Sequence, residues 1–227
     1  EKGMSVSDSE IWKGLPSPES QPWDSSGFTP DGSLKIEYTH RLSRILEKTN
    51  QLSMVVVLGL FYFGQDERLQ NEEAIKSAVR NACEWILSSG YENVVIEINN
   101  ECSVPKYEHE ILQPHRVHEL IKLAQSVTVN YRRLLVGTSY GGNTIPGNNV
   151  AKASDFILMH GNSVTEPIRI SEMVKETREL SSWHDMPILF NEDDHFEFDK
   201  EINNFSCAIN SYAGWGYFDP GAGAGGD

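Results

Sequence analysis

The chain has 227 residues, 39% hydrophobic and 23% charged, a balance that can bury a core and excludes the apolar-poor composition of a disordered chain. Nineteen Lys and Arg against 33 Asp and Glu leave a net charge of −14, which repels phosphate backbones and anionic lipid, so nucleic acid and membrane are poor partners. Cys83, Cys102 and Cys207 contain no close pair, which argues against a disulfide framework and a zinc knuckle, and no apolar run approaches the ~20 residues of a membrane span. The sequence opens on Glu1-Lys2-Gly3 with no signal-like segment and no Met, so the compartment is not read from this end, and an extracellular or periplasmic location is compatible.

Residues 1–32 read as an N-terminal loop segment: Pro16, Pro18, Pro22 and Pro30 lie among Ser, Gly and Asp, with Trp12, Trp23 and Phe28 as apolar anchors. From residue 33 to 227 the pattern alternates. Tyr38, Leu42, Ile45 and Leu46 share a helical face, and the run Val55 to Phe61 is a strand covered on both sides. A stripe of Ile75, Val79, Ala82 and Ile86 precedes the strand Val94 to Ile98, and Val117, Leu120, Ile121 and Ala124 precede Leu134 to Val136. Phe156 to Met159 follows, then a stripe of Ile170, Met173, Val174 and Thr177, the strand Pro187 to Phe190, and a last strand around Ala213 to Phe218.

These six strands alternate with helices or loops, which predicts the α/β class with parallel strands and right-handed crossovers. Their mean spacing of about 32 residues is close to the roughly 31 expected per unit of an eight-stranded (β/α)8 TIM-barrel. A doubly wound sheet fits the alternation too, but Gly137-Thr138-Ser139-Tyr140-Gly141-Gly142 lacks the phosphate-loop glycine spacing. The expectation is a partial barrel without its first two units, with further sequence upstream or a partner covering the open edges.

Each strand turns polar at its C-terminal end: Gln65-Asp66, Asn99-Asn100-Glu101, Ser139-Tyr140, His160-Gly161-Asn162 and Asn191-Glu192. In barrels those ends form one mouth, and there Glu101 and Glu192, three strands apart, face each other. Paired carboxylates across a cleft suit glycosidic bond cleavage, one protonating the leaving oxygen while the other attacks or activates water.

Ile96-Glu97-Ile98-Asn99-Asn100-Glu101 resembles the fourth-strand Asn-Glu signature of the clan A glycoside hydrolases, the retaining, cellulase-like (β/α) barrels. Pro187 to Glu192 is similar to that clan's seventh strand, and Trp215 in Gly214-Trp215-Gly216 to its eighth-strand tryptophan floor, so that the resemblance spans roughly residues 33 to 220. It implies that Glu101 is the acid/base, Glu192 the nucleophile, and Asn100, Tyr140, His160, Asn162 and Trp215 substrate-binding, with no metal and no cofactor. The implied activity is a retaining O-glycosidase acting on a β-linked oligo- or polysaccharide, its carboxyl groups about 5 to 5.5 Å apart. Cys102 stands where a proline often follows the acid, His160-Gly161-Asn162 matches the sixth-strand His and Tyr pattern only in part, and the second-strand arginine has no counterpart.

Other residues have plainer readings. Glu97 is a buried barrel carboxylate paired with a cation, and Asp193, Asp194 and His195 serve loop solvation or substrate contact. His115 and His118 belong to a helix start and its outer face, Trp85 and Trp183 pack on helices, and Asn204-Phe205-Ser206 is a glycosylation sequon. Two rival functions remain open: a catalytically silent carbohydrate-binding barrel, and a divalent-metal lyase or isomerase using Glu192, Asp193, Asp194 and His195.

Overall fold

The computed structural model describes residues 5–6, 26–195 and 197–218. Among these residues seven strands alternate with six α-helices: β1 (Ser5–Val6), α1 (Ile36–Gln51), β2 (Val56–Phe61), α2 (Glu72–Ser88), β3 (Val94–Asn99), α3 (Val117–Ser126), β4 (Val136–Gly137), α4 (Asn148–Ala153), β5 (Ile157–His160), α5 (Ile168–Arg178), β6 (Ile188–Asp193), α6 (Asn204–Asn210) and β7 (Gly214–Tyr217). Every ladder is parallel, in the orders β1-β2-β3-β4 and β5-β6-β7. The segment expected to be loop thus contains β1, paired with β2 through Ser5↔Val57 and Val6↔Leu58; Trp12, Pro16, Pro18, Pro22 and Trp23 lie outside the described residues.

The strand period of two sorts side chains into two layers. Val56, Leu58, Leu60, Ile96 and Ile98 face outward onto Leu42 and Leu46 of α1, Ile75, Val79 and Ile86 of α2, and Leu120 and Ile121 of α3. Ile157, Met159, Ile188 and Phe190 do the same against Ile170, Met173 and Val174 of α5 and Ala208 of α6. Each fully buried Leu or Ile contributes about 1.5 to 3 kcal/mol, which anchors the helices that the apolar stripes predict. Residues of the opposite parity meet one another instead. Val57, Val95, Leu158 and Leu189, from β2, β3, β5 and β6, pack with Phe156 in one inner cluster. Strands of two separate sheets touch through their inner faces only if the whole array curls, which is the beginning of a barrel.

The sheets meet at β4, where the Asp155 amide donates to the Val136 carbonyl (2.9 Å) and the Asp155 carboxylate accepts from the Val136 amide (2.9 Å). Arg133 holds the same carboxylate with two bonds of 2.7 and 2.8 Å. Leu135 is left exposed, so the strand expected over 134–136 is displaced to Val136–Gly137. No pairing joins β7 to β1 among the described residues, and the architecture is a partial, TIM-barrel-like arc. Trp183 lies in the loop after α5 and packs against the α5/β6 core, off the helix expected for it.

Candidate active site

The inner face is apolar at Val57, Val95, Leu158 and Leu189, and polar one step further along β3 and β5, at Glu97 and His160. Glu97 is 1% exposed and pairs in register with Gly59 and Gly137, which leave side-chain space on both flanks. Burial pushes its carboxyl up, against the Ser139 hydrogen bond and the positive His160.

Glu101 follows β3 with a left-handed backbone, φ +48°, which costs a non-glycine residue about 1 to 3 kcal/mol and therefore needs outside support. That support comes from the loop after β4. The Glu101 amide donates to Ser139 Oγ (2.8 Å), the Cys102 amide to the Ser139 carbonyl (2.9 Å), and the Gly141 amide to Ser103 Oγ (3.0 Å). The turn closes on itself through Val104 N–H to the Glu101 carbonyl, 2.9 Å.

Glu192 arrives by another route. Met159 pairs with Phe190, but His160 pairs with Glu192, so β6 carries one extra residue. β7 sees the same insertion between Phe190 and Asp193. Strict alternation would set Asn191 opposite His160; the bulge sets Glu192 there.

The result is a compact trio. His160, fully buried, has Nδ1 3.0 Å from Glu101 Oε1 and 3.8 Å from Glu192 Oε2, and the donor atoms all lie within 4.8 Å of one another. Both carboxylates keep partial exposure, 17% and 23% of their side chains. Burial alone would lower the His160 pKa, but the charge of Glu192, the hydrogen bond and charge of Glu101, and the charge of Glu97 lift it to about 9. The imidazole is a cation at neutral pH, and Nδ1 donates to Glu101. Asn162 Nδ2 donates to Glu192 Oε1 at 2.7 Å.

Of the residues singled out in the sequence, Glu101–His160 and Asn162–Glu192 therefore form two hydrogen-bonded pairs, joined by the 3.8 Å approach of His160 to Glu192. Asn100 is 7% exposed, its amide bonded to the Phe61 carbonyl (3.1 Å) and its carbonyl accepting from the Tyr107 hydroxyl. Tyr140 is 6% exposed, and its hydroxyl accepts from the Gly147 amide at 3.1 Å. Trp215 stacks on Tyr217, 6.2 Å between ring centroids, and its indole N–H donates to Asp193 Oδ2 (2.8 Å). Burial pushes the Cys102 thiol far up, so it offers no thiolate.

Asp193 departs from its expected place in a solvated loop. It is fully buried and accepts from Trp215 Nε1, Asn204 Nδ2, the His195 amide and His195 Nδ1. Gly161 makes room for it, since a Cβ there would lie 2.2 Å from Asp193 Oδ2. Asn204, the sequon residue, is 2% exposed at the start of α6. Asp193, Asp194 and His195 bring donor atoms within 4.8 Å, as metal ligands would, yet the Asp193 oxygens already accept from these N–H groups. In the Glu101–His160–Glu192 trio, a metal would have to displace the proton that Nδ1 shares with Glu101.

Sequence reasoning set Ser139 at a polar strand end but gave it no role, since its type carries no catalytic signal, and it undervalued Asp193. The visible cue at Glu97 was a lone carboxylate inside an otherwise apolar strand.

No protein-family model and no curated protein matches this chain. Solved structures do. A GH5 cellulase from a Bacteroidetes-affiliated source superposes with a TM-score of 0.56 at 11% identity, over 86% of this chain and 70% of its own. A β-glucosidase from Thermotoga maritima gives 0.56 at 10% identity, over 84% and 70%. A GH2 β-galacturonidase from Eisenbergiella tayi gives 0.55 at 9% identity over 78% of this chain, which spans 35% of that enzyme's length. The fold is the TIM-barrel-like α/β fold of these glycoside hydrolases. No helix among the described residues is long and apolar enough to cross a membrane.

Proposed function

We propose that this chain carries the catalytic site of a retaining glycoside hydrolase acting on a β-linked oligo- or polysaccharide. The observation that carries the reading is the convergence of Glu101 and Glu192, from strands of two different sheets, onto one imidazole with carboxylate oxygens within 4.8 Å. That proximity matches the pairs about 5 to 5.5 Å apart of retaining enzymes and leaves no room for the water that inverting pairs, roughly 6.5 to 9.5 Å apart, hold between them. The fold shared with a cellulase and a β-glucosidase points to the same class.

In this reading Glu192 attacks the anomeric carbon. The Asn162 amide, at 2.7 Å, orients it as an acceptor-only carboxylate and leaves its second oxygen for the sugar. Glu101 protonates the departing oxygen and then takes a proton from the water that hydrolyses the glycosyl-enzyme. His160 balances part of the charge of the two carboxylates and, through Nδ1, is the proton-bearing neighbour of Glu101. The aromatic face for a sugar ring is assigned to Trp215, whose indole N–H is fixed on Asp193.

The test is Glu192→Ala. Turnover of a β-glycoside should fall to background with the fold intact by circular dichroism, and azide should restore release of an activated leaving group with inverted product. An active Glu192→Ala protein overturns the reading.

A further inference from the structure

We propose that Ser139 and Glu97 are positioning residues for Glu101: they hold its backbone in the left-handed conformation that carries its carboxyl to His160. The inference rests on the acid/base assignment of Glu101 for its kinetic meaning, but its geometry stands apart from that assignment.

Three observations carry it. Glu101 has φ +48°, a conformation that a glutamate does not keep without restraint. Ser139 holds the peptides on either side of Glu101, its Oγ accepting from the Glu101 amide at 2.8 Å and its carbonyl accepting from the Cys102 amide at 2.9 Å. Glu97 pairs in register with Gly137, two residues before Ser139, and the Ser139 hydroxyl draws its carboxyl pKa down against the effect of burial. All of it is dry: Ser139 is 0% and Glu97 1% exposed. This gives a fully buried carboxylate on the barrel's inner face a purpose beyond charge balance. The groups facing His160 are Glu101 and Glu97 from the β3 side and Glu192 from β6, so a shift of Glu101 alters the surroundings of the imidazole directly.

Ser139→Ala and Glu97→Leu should release Glu101, whereas Glu97→Gln, which keeps an acceptor for the Ser139 hydroxyl, should lose less of the phenyl-substrate rate than Glu97→Leu. The probes are phenyl and 2,4-dinitrophenyl β-glucosides, with the matched mannosides and galactosides, because only the poor phenol leaving group needs protonation. Expected is a fall in kcat/KM of about 10- to 100-fold on the phenyl substrate for Ser139→Ala and Glu97→Leu, with little change on the dinitrophenyl one. A merely structural role would lower both alike. Independently of activity, the 15N-detected titration midpoint of the His160 ring should fall from about 9 in Ser139→Ala, which removes none of the charges that face the imidazole. An unmoved midpoint in a folded Ser139→Ala protein overturns the proposal, as does an equal loss on both substrates. Glu101→Gln is run in parallel: if it shows no leaving-group split, or the parent hydrolyses none of the six glycosides, the acid assignment fails, and the His160 midpoint still decides the positioning.

Discussion

The β1–β4 sheet and the β5–β7 sheet each bring one carboxylate to His160, and they differ in how. On the first side the placement is a backbone matter. Glu101 sits in a left-handed turn sewn to the next loop, above a large apolar core in which Ile96, Ile98 and Leu112 are completely buried. On the second side it is a matter of register and buried polarity. A one-residue bulge aims Glu192, and the residue after it, Asp193, is a wholly buried carboxylate surrounded by N–H donors. The strained turn depends on hydrogen bonds from a single neighbouring loop, whereas removing one member of the buried polar knot leaves several others unsatisfied at once. The two carboxylates should therefore fail separately.

The most disruptive way to break that comparison is Asp193→Ala. Losing the carboxylate strands the Trp215 indole, the Asn204 amide and His195 in a dry site, and the expected cost is about 3 to 5 kcal/mol in urea unfolding. Native-state hydrogen exchange should show the loss of protection concentrated in β6, α6 and β7, with β3 much less affected; uniform loss would mean that the halves are one unit.

His160 joins the two sides, and it predicts a pH dependence. Its folded pKa of about 9 lies above the ordinary 6.5, so its contribution to stability is complete below about pH 6.5 and is lost as the pH rises through 9, on the order of 3 kcal/mol in all. Glu97, its carboxyl also raised, acts in the same sense, so the histidine's share is isolated by His160→Gln. That variant should flatten the fall in stability between pH 6.5 and 9; an unchanged slope would place its origin elsewhere.

The gentlest probe lies in the apolar half. Asn71 caps α2 by accepting from the Ala74 amide at 3.0 Å, and Asn71→Ala should cost about 1 kcal/mol, measured by thermal unfolding, without altering either carboxylate.

Much of this was legible before any coordinates. Periods of two and 3.6 found the six longer-range units, and the stripes Ile75-Val79-Ala82-Ile86 and Ile170-Met173-Val174-Thr177 are buried as their spacing requires. The polar strand ends named Glu101, His160, Asn162 and Glu192. Three things were not legible. β1 is two residues long, too short for any periodicity to mark it. A bulge is invisible to a pattern that assumes strict alternation, so nothing in Phe190-Asn191-Glu192-Asp193 tells which residue faces inward. Asp193 looked like loop solvation because burial of a carboxylate depends on donors far away in sequence, Asn204 and Trp215, that only the fold assembles.

The interior position of Asn204 bears on how the molecule can be made. In a secretory pathway that attaches oligosaccharides to Asn-X-Ser during translocation, the nascent chain would offer Asn204 to the transferase before α6 has formed. A glycan there would occupy the nitrogen that must reach Asp193, so sugar attachment and native folding compete for one side chain. Material recovered from such a host in native form should carry no added mass at that asparagine.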